Sequence, residues 1–440
     1  MSSPGSFAIS QRGSSRFRLL SIIAALLLAI GGVFVVLQIT TTRQVATTGL
    51  DFASADDAKI KRGNYLALAG NCASCHTVTG GEFMAGGLAF ETPFGTIYST
   101  NITPDTETGI GNWTGEEFLT SMRRGLRPGG EHLYPVFPYT AFTKVTDDDI
   151  VALYAYLKSV PAVKQEAPQN EISFPFNQRS LMSFWKALFF EEGAYEADAA
   201  ASDEWNRGAY FVEALAHCSA CHSPRNFLGA EKSGQAMAGG EYIDKVPGGA
   251  LQNWSAPNLT PAANGLGMWP HEEIVAYLKN GINTYVETFG PMNEVIINST
   301  RHLSEDDVSA MATYLKSVPA HETAQPAEAS SSVLGMGRTV YNLHCGTCHL
   351  PTGLGDAESG PQLARGSLVV QAENPASLIN VILYGPELPD PPLPTRRRNP
   401  MEEFQYLLTD GEIAAVATYV RSNWGHAAGE VTPEQVAAQR

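Results

Sequence analysis

No cysteine in this chain stands alone: all six fall inside one repeated pentapeptide, which leaves none for a disulfide framework. Positive charge is scarce. The 29 Lys and Arg against 45 Asp and Glu give a formal charge of −16 at pH 7, which argues against nucleic acid and anionic lipid as partners and favours a basic docking patch on whatever the protein meets. No Ser/His/Asp constellation, phosphate loop or paired-carboxylate motif stands out. Long apolar runs are few as well, so the further spans and histidines of a membrane-embedded oxidase core are missing.

What is present is the pentapeptide Cys-x-x-Cys-His, as Cys72-Ala-Ser-Cys75-His76, Cys218-Ser-Ala-Cys221-His222 and Cys345-Gly-Thr-Cys348-His349. Two thiols at this spacing add to the two vinyl groups of one porphyrin while the adjacent imidazole reaches its iron. A single copy could be a redox dithiol or half a zinc site. Repetition of the whole pentapeptide at domain-sized intervals points instead to three covalently bound haem c groups, with His76, His222 and His349 as proximal iron ligands. The chain of 440 residues is long enough for about three domains, which suggests one haem in each.

Leu19–Leu37 is an uncharged, apolar run of about nineteen residues, preceded by Arg12, Arg16 and Arg18, and it meets the length of a transmembrane helix. Residues 1–45 are expected to hold a cytoplasmic tip and this anchor. The small-x-small form of Ala53-Ser-Ala55 offers a cleavage site, but lies far from the run, so a retained anchor is favoured. The expected location is the bacterial inner membrane, with the haem domains in the periplasm, where c-type haem is normally attached.

Internal repeats set the domain plan. Arg62-Gly-Asn-Tyr65, Arg207-Gly-Ala-Tyr210 and Arg338-Thr-Val-Tyr341 precede the three pentapeptides on helices that should carry the cysteines at their carboxyl ends. Asn101-Ile-Thr-Pro104 leads to Trp113, and Asn258-Leu-Thr-Pro261 leads to Trp269, as in duplicated domains. Thr146 to Asp149, Ser304 to Asp307 and Thr409 to Glu412 have the form of capping boxes before apolar residues at helical spacing, with Tyr156, Tyr314 and Tyr419 in the same place. The pattern predicts an all-α protein: three tandem cytochrome c domains, 56–163, 203–319 and 334–426, after the N-terminal transmembrane helix. Residues 321–332 form a linker, 427–440 a tail, and 164–202 an interdomain segment. Its apolar stretch, Leu181 to Phe190, reads either as a helix gluing the first two domains or as one that touches the membrane, a quinone or a partner.

A thioether is the expected sixth ligand, because it raises the haem potential and closes the iron to outside ligands. Met292, in Phe289-Gly-Pro-Met292, and Met401, in Arg398-Asn-Pro-Met401, occupy suitable loops for the second and third haems. The matching segment of the first domain, Leu133-Tyr-Pro-Val-Phe-Pro-Tyr139, has Phe137 instead. Met122, His132 and Met84 remain as candidates there, as does an iron with no sixth protein ligand. Arg396-Arg-Arg398 suits propionates or an acidic partner equally with a solvated charge cluster. Trp113, Trp269 and Trp424 read as core residues before propionate donors, and His217 and His344 as polar residues rather than ligands.

Thr92-Pro-Phe-Gly95, Asn101-Ile-Thr-Pro-Asp105, Leu133-Tyr-Pro135, Cys221-His-Ser-Pro-Arg225 and Tyr419-Val-Arg-Ser-Asn-Trp-Gly425 together resemble a known family, the three-haem cytochrome c subunits of membrane-associated bacterial dehydrogenases. These serve alcohol, gluconate or sorbitol dehydrogenases and, in a related branch, molybdenum aldehyde or N-heterocycle oxidoreductases. The resemblance implies electron relay from a catalytic dehydrogenase subunit (flavin, quinone-cofactor or molybdenum) to ubiquinone or a terminal oxidase, with no substrate chemistry of its own. Phe137 is more similar to the molybdenum branch. It also supports an alternative, a haem enzyme whose open first iron binds peroxide or another small ligand.

Overall fold

The computed structural model describes residues 21–23, 31–37, 49–246, 248–323, 326–356, 358–364, 366–386 and 401–440. Each of three units is framed by an amino-terminal helix crossed by a carboxyl-terminal one. The first member is Asp57–Ala69, Asp203–Tyr210 or Ser331–Val340, and its partner is Asp147–Ser159, Glu305–Leu315 or Asp410–Arg421. Side chains of Asp56, Ser202 and Ser330 cap the first set, and Thr146, Ser304 and Thr409 the second, each satisfying a backbone amide that the helix leaves free.

The crossings depend on one glycine apiece. A Cβ on Gly63 would lie 2.0 Å from the Ala152 carbonyl oxygen, one on Gly208 1.9 Å from that of Ala310, and one on Gly337 2.1 Å from that of Ala415. Tyr156, Tyr314 and Tyr419 stand over the same glycines, which explains their shared place in the repeats. The third repeat is therefore anchored on Gly337, ahead of Arg338, and Tyr341 has no equivalence to Tyr65 or Tyr210. Its hydroxyl donates to the Leu350 carbonyl, 2.7 Å away within its own unit.

Tyr65 and Tyr210 do something else. Asp149 accepts a two-pronged bond from Arg62 at 2.9 and 3.0 Å and a hydrogen bond from the Tyr210 hydroxyl of the second unit at 2.7 Å. Reciprocally, Asp307 accepts Arg207 at 2.6 and 3.2 Å and the Tyr65 hydroxyl of the first unit. The backbone amides of Thr146 and Ser304 donate to the same two tyrosines. Of the three expected capping boxes, only that of Thr409 and Glu412 is reciprocal; the acids at 149 and 307 are drawn away by the arginine and the neighbouring tyrosine. This exchange resembles an isologous interface within one chain. One continuous apolar core accordingly runs through both units, joining Leu66, Leu119 and Leu153 to Phe211, Ile274 and Met311.

The third unit has its own core, around Tyr341, Ile379, Leu383 and Val416. It docks on the second through reciprocal Ser255–Ser377 bonds, an Asn380 bond to the Asn253 carbonyl, and the Trp269 indole donating to the Gly366 carbonyl at 2.6 Å. Trp269 stacks on Tyr285 there, so its role is packing between units.

The expectation of an all-α fold requires correction. Strands Ala89–Thr92, Gly95–Tyr98 and Glu171–Ile172 form an antiparallel sheet, and Gly240–Lys245 pairs with Leu251–Ala256. The hairpins follow their pentapeptides, and strands of two to six residues carry too little alternation to emerge from a helix-dominated pattern. The predicted transmembrane helix is also withdrawn: among the described residues no helix is long and apolar enough to cross a membrane. Of the Leu19–Leu37 run, only Ser21–Ile23 and Gly31–Leu37 lie within the described residues. The cysteines, moreover, do not end the first helix in two of the units. In the first two units they follow a break, Cys72–His76 and Ser219–His222 being separate turns, whereas in the third Ser331–Val340 runs on through Tyr341–Cys345 into Gly346–His349.

Within 164–202, helix Met182–Phe189 bridges the first two units. The Trp185 indole donates to the Leu228 carbonyl at 3.0 Å, and the Lys186 ammonium to the Gly125 carbonyl at 3.1 Å.

Substituting Gly208→Ala forces overpacking at the crossing and should lower stability by about 1–3 kcal/mol, whereas Gly335→Ala, whose Cβ meets nothing within 4 Å, should raise it by up to about 1 kcal/mol; thermal denaturation distinguishes the two signs. Burial works to raise the Asp307 carboxyl, but hydrogen bonds from Arg207 and Tyr65 outweigh it and hold the group below its usual 3.8. The stability it contributes is therefore full above about pH 4 and is lost as pH falls through the lowered native value. Denaturation of Asp307→Asn across that acid window should show a shallower pH dependence than the unaltered protein.

Candidate functional site

In the first two units the turn into the pentapeptide passes through a left-handed residue, Asn71 at φ 51° and His217 at φ 40°, which redirects the chain from the long helix into the short cysteine-bearing turn. In the third, the five-residue π-helical turn Tyr341–Cys345 carries the helix directly into Gly346–His349. All six thiols are unpaired. Burial pushes Cys72, Cys75 and Cys218 up to about 12 and Cys345 up to about 11, so these four are neutral thiols before any cofactor is attached.

The three histidines share one arrangement. Nδ1 of His76 lies 2.6 Å from the Thr100 carbonyl, that of His222 2.7 Å from Pro257, and that of His349 2.8 Å from Pro361. A carbonyl at Nδ1 fixes the proton there and directs the Nε2 lone pair outward, as a metal-binding imidazole requires. Burial lowers the pKa of His76 and His222, which favours the neutral, ligating form. The backbone oxygens of the same histidines accept from Gly86, Gly239 and Gly355, so each histidine is held by its backbone as well as by its ring.

Sequence reasoning missed what positions those carbonyls. Asn101 follows Thr100, and Asn258 follows Pro257. The Asn101 side chain donates to the Val163 carbonyl at 2.7 Å and accepts from the Thr103 amide and hydroxyl; Asn258 donates to the His321 carbonyl at 2.9 Å and accepts from Thr260 likewise. The Asn-x-Thr-Pro repeat, which in the sequence signals only duplication, thus locks the loop that orients each histidine. Its recurrence between each of the first two pentapeptides and a tryptophan, Trp113 or Trp269, was the available signal.

The residues fit covalent haem. Each pair of thiols sits one turn apart beside an oriented imidazole. The first two sites adjoin one another: the Asn298 amide donates to the Ser74 hydroxyl at 2.9 Å, and Phe142 packs edge-on against His217 at 5.4 Å. Each unit's loop after the central helix therefore touches the other's cysteine turn.

Those loops can be aligned from their hydrogen bonds. Helices Gly115–Arg124 and His271–Asn280 end at left-handed Gly125 and Gly281, whose carbonyls accept from the amides of Leu133 and Thr288. Four residues further on stand Phe137 and Met292. Met292 packs on the core that Cys218 also touches, and Met401 on the one that Cys345 touches. Arg396–Arg398 lie outside the described residues.

Met84 has a twin. Met84 and Met237 are both buried, both left-handed at φ 60° and 59°, and their amides donate to Oγ1 of Thr77 and Oγ of Ser223 at 3.1 and 2.9 Å. Both sit in the loop tied to the histidine carbonyl, on the proximal side. His132 is buried with neither ring nitrogen hydrogen-bonded among the described residues, and burial together with the Lys186 charge pushes its pKa down to about 4.

Fold and site define a cytochrome c with covalently bound haem c, and the cytochrome c family profile matches residues 60–161, 206–319 and 336–424. The chain belongs, more narrowly, to the cytochrome subunits of dehydrogenases. It is 37% identical over 413 residues to the fructose dehydrogenase cytochrome subunit of Gluconobacter japonicus, covering 87% of this chain and 83% of that one. It is 40% identical over 399 residues to the cytochrome c subunit of the quinone alcohol dehydrogenase of Gluconobacter oxydans, covering 87% and 82%. Identity reaches 44% over 372 residues with a subunit of the nicotinate dehydrogenase of Pseudomonas putida, across 83% of this chain but only 30% of that protein's length.

Because Met84 and Met237 lie on the proximal side, replacing either with Leu should leave the ligation-sensitive absorption and magnetic spectra of every haem unchanged.

Proposed function

We propose that the chain carries three haem c groups, attached through Cys72 and Cys75, Cys218 and Cys221, and Cys345 and Cys348, and that it relays electrons from a catalytic dehydrogenase subunit towards ubiquinone or a terminal oxidase. The observation that carries this reading is the threefold recurrence of one arrangement, a thiol pair beside a histidine whose Nδ1 is held by a backbone carbonyl. His76, His222 and His349 would be proximal ligands, with Met292 and Met401 closing the second and third irons. Each bound haem supplies reversible one-electron exchange at its iron.

The protein's own part is to hold and arrange. Carbonyls of Thr100, Pro257 and Pro361 keep each imidazole in its ligating tautomer, the apolar cores keep water away, and the paired loops around Ser74 and His217 bring the first two sites together. A dehydrogenase that removes two electrons from its substrate would pass them on singly. The likeness to the nicotinate dehydrogenase of Pseudomonas putida, together with Phe137, supports a partner of the molybdenum type acting on an N-heterocycle or aldehyde. We further propose that the haem domains lie in the periplasm, consistent with covalent haem attachment and the acidic charge.

Intact mass of the protein matured with its haem-attachment machinery should exceed the polypeptide mass by three haems, and Cys221→Ala with Cys218→Ala should remove one. A mass gain of two or fewer in the unaltered protein contradicts the count. Affinity purification from the native membranes should recover a catalytic dehydrogenase that reduces the cytochrome; purification alone, with no reduction by any dehydrogenase present, overturns the subunit reading.

A further inference from the structure

The first two units are built alike, yet they exchange two residues. Aligning the helices on Trp113 and Trp269 at one end and on the capping glycines Gly125 and Gly281 at the other places Met122 where the second unit has Leu278. The loop alignment already places Phe137 where the second unit has Met292. A methionine on the loop and a leucine on the helix in one unit become a phenylalanine on the loop and a methionine on the helix in the other. The number of thioethers per site is thereby conserved while their origin shifts.

Met122 is well placed for the role. It lies on the last turn of Gly115–Arg124, on the same face as Phe118 and Leu119, and all three are buried in the core against which Cys72 and Phe137 pack. Three residues on, the Gly125 carbonyl accepts from Leu133 in the loop that carries Phe137, so Met122 and Phe137 reach the same core beside Cys72 from adjoining elements. A thioether on a side chain with three rotatable bonds can adapt to that approach. The competitors are positioned otherwise. Met84 shares the proximal seat of Met237. His132 is buried on the side that faces helix Met182–Phe189, its carbonyl accepting from Arg179 at 2.8 Å and its ring close enough to feel the charge of Lys186, whose ammonium binds the Arg124 and Gly125 carbonyls.

We propose that the Met122 sulfur is the sixth ligand of the iron held by His76, taking from the helix the place that Met292 fills from the loop in the second unit. The inference rests on Cys72–His76 being a haem site, and intact mass tests that separately. With Met122 bound, the first haem is a closed carrier like the others and not an open site for peroxide.

The test uses the full-length protein with its haems attached and its mass verified. In the ferrous state, labelling of methionine methyl groups should show three ring-current-shifted resonances in proton–carbon NMR, for Met122, Met292 and Met401; two would overturn the proposal without any variant. Met122→Leu, which installs the residue of the second unit, should remove one such resonance and one thioether-to-ferric-iron charge-transfer band, and should create one carbon monoxide-binding haem per chain. Phe137→Met in that background should restore the signature from the loop. If Met122→Leu leaves all signals in place, or if His132→Gln changes the ligation spectrum of the first haem when Met122→Leu does not, the assignment to Met122 is wrong. Loss of haem mass at Cys72–Cys75 in the unaltered protein would instead remove the first haem site itself.

Discussion

Everything in this chain is arranged around a contact in which two helices approach until their backbones touch. Gly63, Gly208 and Gly337 permit that approach, and no other residue type could occupy those positions without moving a carbonyl. The crossing sets the register of the first helix, and the left-handed residue after it in the first two units, or the π turn that contains Cys345 in the third, leads into the cysteines. The acceptor for each histidine then comes from a loop held by its own asparagine or packed behind the turn. The geometry of a haem site is thus specified by backbone contacts some distance from the residues that would bind the haem.

A second constraint joins the first two units. Asp149 and Asp307 each take an arginine from their own unit and a tyrosine hydroxyl from the other. Hydrogen bonds to a charged group contribute about 1.5–3 kcal/mol each, and leaving such a carboxylate partnerless costs more. The pair is therefore a single cooperative body with one core, and its cysteine turns face each other across Ser74, Asn298, Phe142 and His217. The third unit is attached differently, through a hairpin of the second and the Trp269 indole. The second unit touches both neighbours.

Much of this is legible in the residues, for reasons that differ from place to place. The pentapeptides announce themselves because covalent haem chemistry requires adjacent residues. The helix crossings are half visible: the tyrosines recur openly, but the glycine beneath each emerges only from the close approach, and it shifts the third repeat onto Gly337. The capping-box pattern misleads at Asp149 and Asp307, since a carboxylate three residues beyond a cap can be claimed by a tyrosine far along the chain. Short hairpins and the carbonyl acceptors of the histidines have no sequence period to betray them. The swap of Met122 for Phe137 needs both structural alignments, because neither residue stands in a haem motif.

The central claim is that three similar sites form a relay of one-electron carriers. An anaerobic reductive titration of the haem-loaded protein, followed in its visible absorption, tests it most directly. Three electrons per chain should be taken up, reversibly on reoxidation and unaffected by carbon monoxide. Uptake of fewer than three, or a haem whose reduction is trapped by carbon monoxide in the unaltered protein, would contradict it.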